Sequence, residues 1–203
     1  MGSDRFRLRD LLVERNAFPA RAAVIDAQIW EAFGRRASVL VLDMSGFSRL
    51  TSAHGVIHFL SMVYQMEAAA TPAIVCNGGR VIKQQADNLF ALFETPGRAL
   101  EAALDILRAF EAMNAVAPAE RAICGSIGIG HGDILVIDEE DLFGAEMNFA
   151  SKLGEDAAGV MDILLTPEAY AGLNGPQRTF SAQSFVIEGR EYRAFRLERA
   201  AQR

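Results

Sequence analysis

Residues 38–43 read Ser-Val-Leu-Val-Leu-Asp, an aliphatic run without polar alternation that stops on a carboxylate. A strand of this kind has two faces to bury, so it belongs inside a sheet covered on both sides. The chain must therefore supply helices for both faces and further strands for both edges. Its 203 residues, 51% hydrophobic and 23% charged, suffice for one domain with a proper core.

The pattern around this strand supplies those elements. Residues 5–36 read as two short helices broken near Pro19, with Val24, Ile25, Ile29, Trp30 and Phe33 at helical spacing. That face serves either packing on its own domain or contacts with a second copy. Residues 56–76 form a helix with Val56, Phe59, Leu60, Val63 and Met66 on one side, and Pro72 kinks or restarts it. Arg80–Lys83 and Asn88–Phe93 flank Gln-Gln-Ala-Asp, which predicts a hairpin with Asp87 at its tip. Pro96 opens a helix buried through Ala99, Ala103, Ile106, Leu107 and Phe110.

A second hairpin is predicted from 123–130 and 133–137, turning at His131-Gly132. A helix over 145–156, a strand over 162–166, a short helix and two last strands (179–187 and 191–197) complete the chain. The fold class is α+β, with a ferredoxin-like split βαβ core and extra C-terminal α-β and hairpin elements. Residues 1–36 form a helical arm and residues 37–203 the main domain.

Charge and composition narrow the partners. A net charge of −6 argues against nucleic acid. An acidic chain that binds a polyphosphate needs local positive charge, which bound metal ions provide. No apolar run approaches the ~20 residues of a membrane span, and the charged N-terminus precedes no signal-like stretch, so a cytoplasmic protein is expected. Cys76 and Cys124 lack metal-ligand spacing and read as reduced, partly buried thiols.

A single aspartate at a strand end is more commonly a cap or turn former than a ligand. Asp43 differs because it ends an apolar strand and precedes a Gly-containing turn whose backbone N–H groups can face an anion. Asp87, at the next hairpin tip, can reach the same sheet edge. Paired carboxylates beside a phosphate-binding turn are what Mg²⁺ needs when it bridges a nucleotide. His54 and His58 stand at i, i+4 without a third ligand and read as surface or capping residues; His131 reads as a turn residue.

Four segments in order, LVLDMSGFSRL, IKQQADNLFALF, SIGIGHGDIL and DLFGAEMNFASKL, resemble the catalytic domain of the class III adenylate and guanylate cyclases over roughly residues 37–173. The spacing agrees: Asp43 and Asp87 stand 44 positions apart, Lys83 four before Asp87, Asp141 seven before Asn148, and Lys152 four after it.

The resemblance implies that Asp43, Asp87 and the Met44 carbonyl hold two Mg²⁺ or Mn²⁺ ions. Backbone amides of Gly46, Phe47 and Ser48 would cradle phosphates. Lys83 and Asp141 would read the base, a pairing associated with adenine. Asn148 would orient the ribose, and Lys152 would meet the transition-state phosphate. The implied protein is a phosphorus-oxygen lyase converting ATP to 3′,5′-cyclic AMP and pyrophosphate as a homodimer, with room for a separate regulatory protein.

Three departures bear on that reading. Lys152 and Ser126 occupy positions where relatives carry arginine, and Ala-Asp-Asn surrounds Asp87 where Gly-Asp-Gly is commoner. A point-charge ammonium cannot grip two phosphate oxygens as a guanidinium does. The alternatives are a catalytically weak or inactive nucleotide-binding module, or a cyclase for guanine or pyrimidine nucleotides.

Overall fold

The computed structural model describes residues 3–45, 52, 54–174, 178–187 and 189–199. The expected phosphate cradle, Gly46, Phe47 and Ser48, lies outside them. The strands are β1 (Gly34–Met44), β2 (Arg80–Gln85), β3 (Asn88–Phe93), β4 (Gly125–Ile137), β5 (Asp141–Phe143), β6 (Ile163–Leu165), β7 (Phe180–Ile187) and β8 (Arg190–Leu197). They form one sheet in the order β2-β3-β1-β4-β6-β8-β7, with β5 also pairing with β4. Among the described residues only the β4–β6 ladder is parallel. The central four-strand order β2-β3-β1-β4 is that of a split βαβ sheet, as expected.

The run at 38–43 is central, as its composition requires. Leu40, Leu42 and Met44 pack beneath helices α3 (Val56–Cys76) and α4 (Pro96–Asn114). Val39 and Val41 face the other way, towards α5 (Ala145–Lys152). The side chain of Asp43 follows the odd-numbered set, because strand side chains alternate. α4 begins with Thr95, whose hydroxyl accepts from Arg98 N, and with Pro96 at the first helical position. Its five expected apolar positions are all buried.

The α3 helix is continuous through Pro72, and its buried face is Phe59, Met62, Val63, Met66, Ala70 and Ile74. Val56 and Leu60, expected on that face, are exposed. By length and composition alone this helix could cross a membrane. Here its apolar face is the lid of the main core. Helices α1 (Asp4–Ala17) and α2 (Ala22–Phe33) flank a single 3-10 turn, Pro19–Arg21. Ile25, Ile29 and Phe33 pack on Ile137 of the chain's own sheet, while Val24 and Trp30 face outward. Strand β1 starts at Gly34, so the last residues expected in the arm already belong to the sheet.

The predicted hairpin at His131-Gly132 is not formed. β4 runs unbroken for 13 residues, and the reversal comes at 138–140, where Asp138 and Glu139 take positive φ. The glycines here serve packing, not a turn. Gly128, Gly130 and Gly132 pair with Val41, Val39 and Ala37 and share the face that receives α5. A Cβ at Gly128 would overlap the Ala150 carbonyl oxygen, and one at Gly130 would lie 2.5 Å from that of Glu146. The missing side chains let helix backbone rest directly on strand backbone.

Gly128→Ala should therefore lower the unfolding free energy by about 2–3 kcal/mol, because the obstructing atom is backbone and cannot rotate away. Urea unfolding measures this, and a loss below ~0.5 kcal/mol, the range of an uninvolved surface site, contradicts the packing account.

Candidate active site

Two clusters of predicted site residues are assembled in the described chain. The first lies where β1 and the β2–β3 hairpin end together. Asp43 pairs in register with Asn88, and Met44 N–H donates to the Asp87 carbonyl (3.2 Å), fixing the hairpin tip to the end of β1. Ala86 takes a positive φ in this turn. Burial, then like charge from Asp87, Glu155 and Asp156, pushes the Asp43 carboxyl up to about 7. Glu155 is also raised, first by burial, then by Asp156 and Asp87, while Lys152 draws it back down.

Glu155 and Asp156 lie in the π-helical turn Leu153–Ala157 that continues α5. Sequence reasoning missed both. Their only signal was a pair of acids one turn beyond Lys152, which reads equally well as a solvated helix end. Asn88 Nδ2 donates to Glu155 Oε1 (3.0 Å), tying the hairpin to that turn. The Asn88 Oδ1 atom is buried without a hydrogen-bond partner.

These carboxylates fit a divalent cation. Asp43 holds its negative charge poorly without one, and an orphaned acceptor oxygen lies on the residue beside Asp87. Among the described residues no three His, Cys, Asp or Glu side chains form a complete metal cage. An open site built on two carboxylates suits Mg²⁺, which keeps positions for substrate phosphates.

In the second cluster, Lys83 Nζ donates to Asp141 Oδ1 at 2.6 Å, with both side chains about three-quarters buried. The ammonium also lies 5.0 Å from the centre of the Phe90 ring. Glu139 bridges Arg35 and Arg80, pinning the β4–β5 turn to β1 and β2 beside this pair. A donor and an acceptor thus stand side by side, the donor over an apolar ring.

Helix α5 presents Asn148 on its exposed face and Lys152 one turn on, half-buried. Its inner residues Glu146 and Ala150, with Gly154 of the following turn, lie against the glycines of β4. Ser126 is almost fully buried opposite Asp43 in the ladder. His131 is not in a turn; its Nδ1 bonds Ser38 Oγ (2.8 Å). His58 Nε2 bonds the Glu120 carbonyl (3.0 Å), and its ring lies 4.8 Å from that of His54. Cys76 is exposed and Cys124 half-buried, both as free thiols.

No protein-family model matches the chain. It is 30% identical over 119 residues to a Rhizobium meliloti protein provisionally named adenylate cyclase 3; the match covers 59% of this chain and 20% of that protein. The chain thus aligns with about a fifth of that relative's length. Among solved structures, an adenylate/guanylate cyclase/hydrolase from Silicibacter pomeroyi is 26% identical, covering 83% of this chain and 99% of that one, with a TM-score of 0.68. The catalytic core of a rhodopsin-guanylyl cyclase with converted specificity, in complex with ATPαS, superposes with the same TM-score at 15% identity over 81% and 98% of the two chains.

The Asp43 carboxyl gives a pH signature independent of turnover. Its native-state pKa lies above the unfolded value of 3.8, so the native state binds the extra proton and loses stability as pH rises from about 4 to 7. In metal-free protein Asp43→Asn should be more stable than the parent by about 2 kcal/mol at pH 8.5, with the advantage gone near pH 4. Thermal melts across that range test this; an Asn variant less stable at pH 8.5 means that the cluster does not strain the fold. The chain has the fold of the class III adenylate and guanylate cyclase catalytic domains.

Proposed function

We propose that this chain cyclises ATP to 3′,5′-cyclic AMP and pyrophosphate, at two sites shared across a two-fold homodimer. The observation that carries this reading is the convergence of Asp43 and Asp87 at one end of the β2–β3 hairpin, while Lys83 of the same hairpin pairs with Asp141. A nucleotide separates its base from its phosphates by most of its own length. One copy of the hairpin therefore serves one end of the substrate, and a symmetry-related copy serves the other.

In this arrangement Asp43, Asp87 and the Met44 carbonyl of one protomer meet Lys83, Asp141, Asn148 and Lys152 of its partner. Two Mg²⁺ or Mn²⁺ ions held by the first set would ease ionisation of the ribose 3′-hydroxyl and neutralise the departing phosphates. Lys83 donates to adenine N1 and Asp141 accepts from the amino group once the two release each other. Guanine presents the opposite pattern at those atoms. Asn148 orients the ribose, and Lys152 places positive charge on the α-phosphate. Such chemistry needs positioning and electrostatics more than any covalent participation. A cytoplasmic location and a separate regulatory protein belong to the same reading.

A second reading, a nucleotide-binding module with little turnover, draws on Lys152 and Ser126. Lysine supplies one charge where a fork would supply two hydrogen bonds, and Ser126 is buried beside Asp43 without a charge to offer.

Purified protein with Mg²⁺ or Mn²⁺ and each of ATP, GTP, CTP and UTP, with products identified by mass, decides the substrate. Cyclic AMP should form fastest; faster conversion of another nucleotide overturns the base assignment. Asp43→Asn and Asn148→Ala should each lower turnover by roughly 100-fold or more, and mixing them should restore part of it through heterodimers with one intact site. A dead mixture, with subunit exchange demonstrated, removes the shared site. Lys152→Arg should raise turnover and Lys152→Ala lower it; if neither moves it, the module reading stands.

A further inference from the structure

The edge of β4 away from β1 is covered in two pieces. β6 pairs with Ile127–Ile129 and β5 with Leu135–Ile137. Thr166 N–H closes the first ladder on the Ile129 carbonyl (2.9 Å). The next inward donor, His131 N–H, has no strand to meet. An unpaired backbone donor at this depth costs about 1–3 kcal/mol.

Glu146 fills the gap from the first turn of α5. Its Oε2 accepts from His131 N–H (3.2 Å) and from Thr166 Oγ1 (2.7 Å). Thr166 is fully buried, and its hydroxyl oxygen already accepts from Ala169 N–H (3.2 Å), so its one proton goes to Glu146. Burial, and after it the like charge of Glu168, push this carboxyl up, while the bonds from Thr166 and His131 draw it down. The flanking glycines are shaped to this residue. A Cβ at Gly132 would lie 2.7 Å from Glu146 Cγ, and one at Gly130 2.5 Å from the Glu146 carbonyl oxygen. Gly130, His131 and Gly132 thus form a socket for one side chain. That side chain sits two residues before Asn148, on the opposite face of the helix.

We propose that Glu146 is a positioning residue for the nucleotide site: seated in the Gly130-His131-Gly132 socket and on Thr166, it sets the height and rotation of α5, and with them Asn148 and Lys152. This rests on the reading of those two residues as substrate contacts. A helix of eight residues has few other anchors, and a shift of about 1 Å at a catalytic group can cost roughly 100-fold in rate. The contacts so governed act on the transition state, so loss of the anchor reduces kcat more than it raises KM.

Glu146→Gln keeps the shape and an oxygen for His131 N–H and Thr166, and it removes the like charge facing Glu168. Glu146→Asp falls one methylene short, and Glu146→Ala empties the socket. With full-length protein, ATP and Mn²⁺, the Gln variant should keep kcat within twofold of the parent. The Asp and Ala variants should lose at least tenfold in kcat, with KM changed by less than threefold. Amide exchange over 147–153 should quicken at least tenfold in Ala and Asp but not in Gln, with 89–93 unchanged. A Gln variant as slow as Ala, an Asp variant with parental kcat, or a loss confined to KM overturns the proposal. If the parent cyclises no nucleotide, the functional reading fails by itself. Exchange then decides the anchor alone: unaltered rates over 147–153 in the Asp variant reject it.

Discussion

Backbone-to-backbone contact between α5 and β4 is the constraint on which the site depends. Three alternate residues of β4 lack side chains on the face that receives the helix, and Gly154 returns the approach from the helical side. Helix and strand therefore meet closer than any pair of ordinary side chains allows. The alternation of β4 permits this because its other face keeps Ile127 and Ile129 in the main core. Closeness on one face and bulk on the other come from one strand, at period two.

That contact explains where charge accumulates. With α5 pressed onto the sheet, its continuation at 153–157 brings Glu155 and Asp156 towards Asp43 and Asp87, and Asn88 bonds Glu155 across the gap. The resulting repulsion is a local cost that the rest of the fold sustains, and strained groups of this kind concentrate at functional sites. The buried Asn88 Oδ1 without a donor points the same way: this corner is incompletely satisfied by protein atoms alone. Lys83 and Asp141 show the opposite condition, each neutralising the other until something displaces the bond.

How much of this was legible depended on whether the signal was local. The run at 38–43, the Pro96 helix and the hairpin around Asp87 were read correctly, because periodicity and turn chemistry sit within a few residues. The Lys83–Asp141 pair was legible only through family resemblance, since 58 positions separate them. The His131-Gly132 turn was misread because Gly is equally the mark of a turn and of a close approach, and only the helix against it distinguishes the two. Glu155, Asp156 and Glu146 look like ordinary surface acids in sequence. The glycines of a distant strand place Glu146 and bring the turn that carries Glu155 and Asp156 up to Asp43, so no window around them carries the information.

The division of α5 into two faces bears on why such a short helix is used at all. Eight residues cannot hold a helix by their own hydrogen bonds in water, so its conformation is borrowed from what it rests on. The inner stripe at 146, 150 and 154 takes its position from the sheet, and residues 148 and 152 inherit it. On the proposed function, that separation lets the anchoring contacts and the substrate contacts lie on different residues. It also makes their placement only as good as the inner contacts, because a two-turn helix has no length over which an error could average out. The rigidity of β4, covered on both faces and paired along all of one edge and most of the other, is therefore transmitted to Asn148 through a few backbone atoms and one carboxylate.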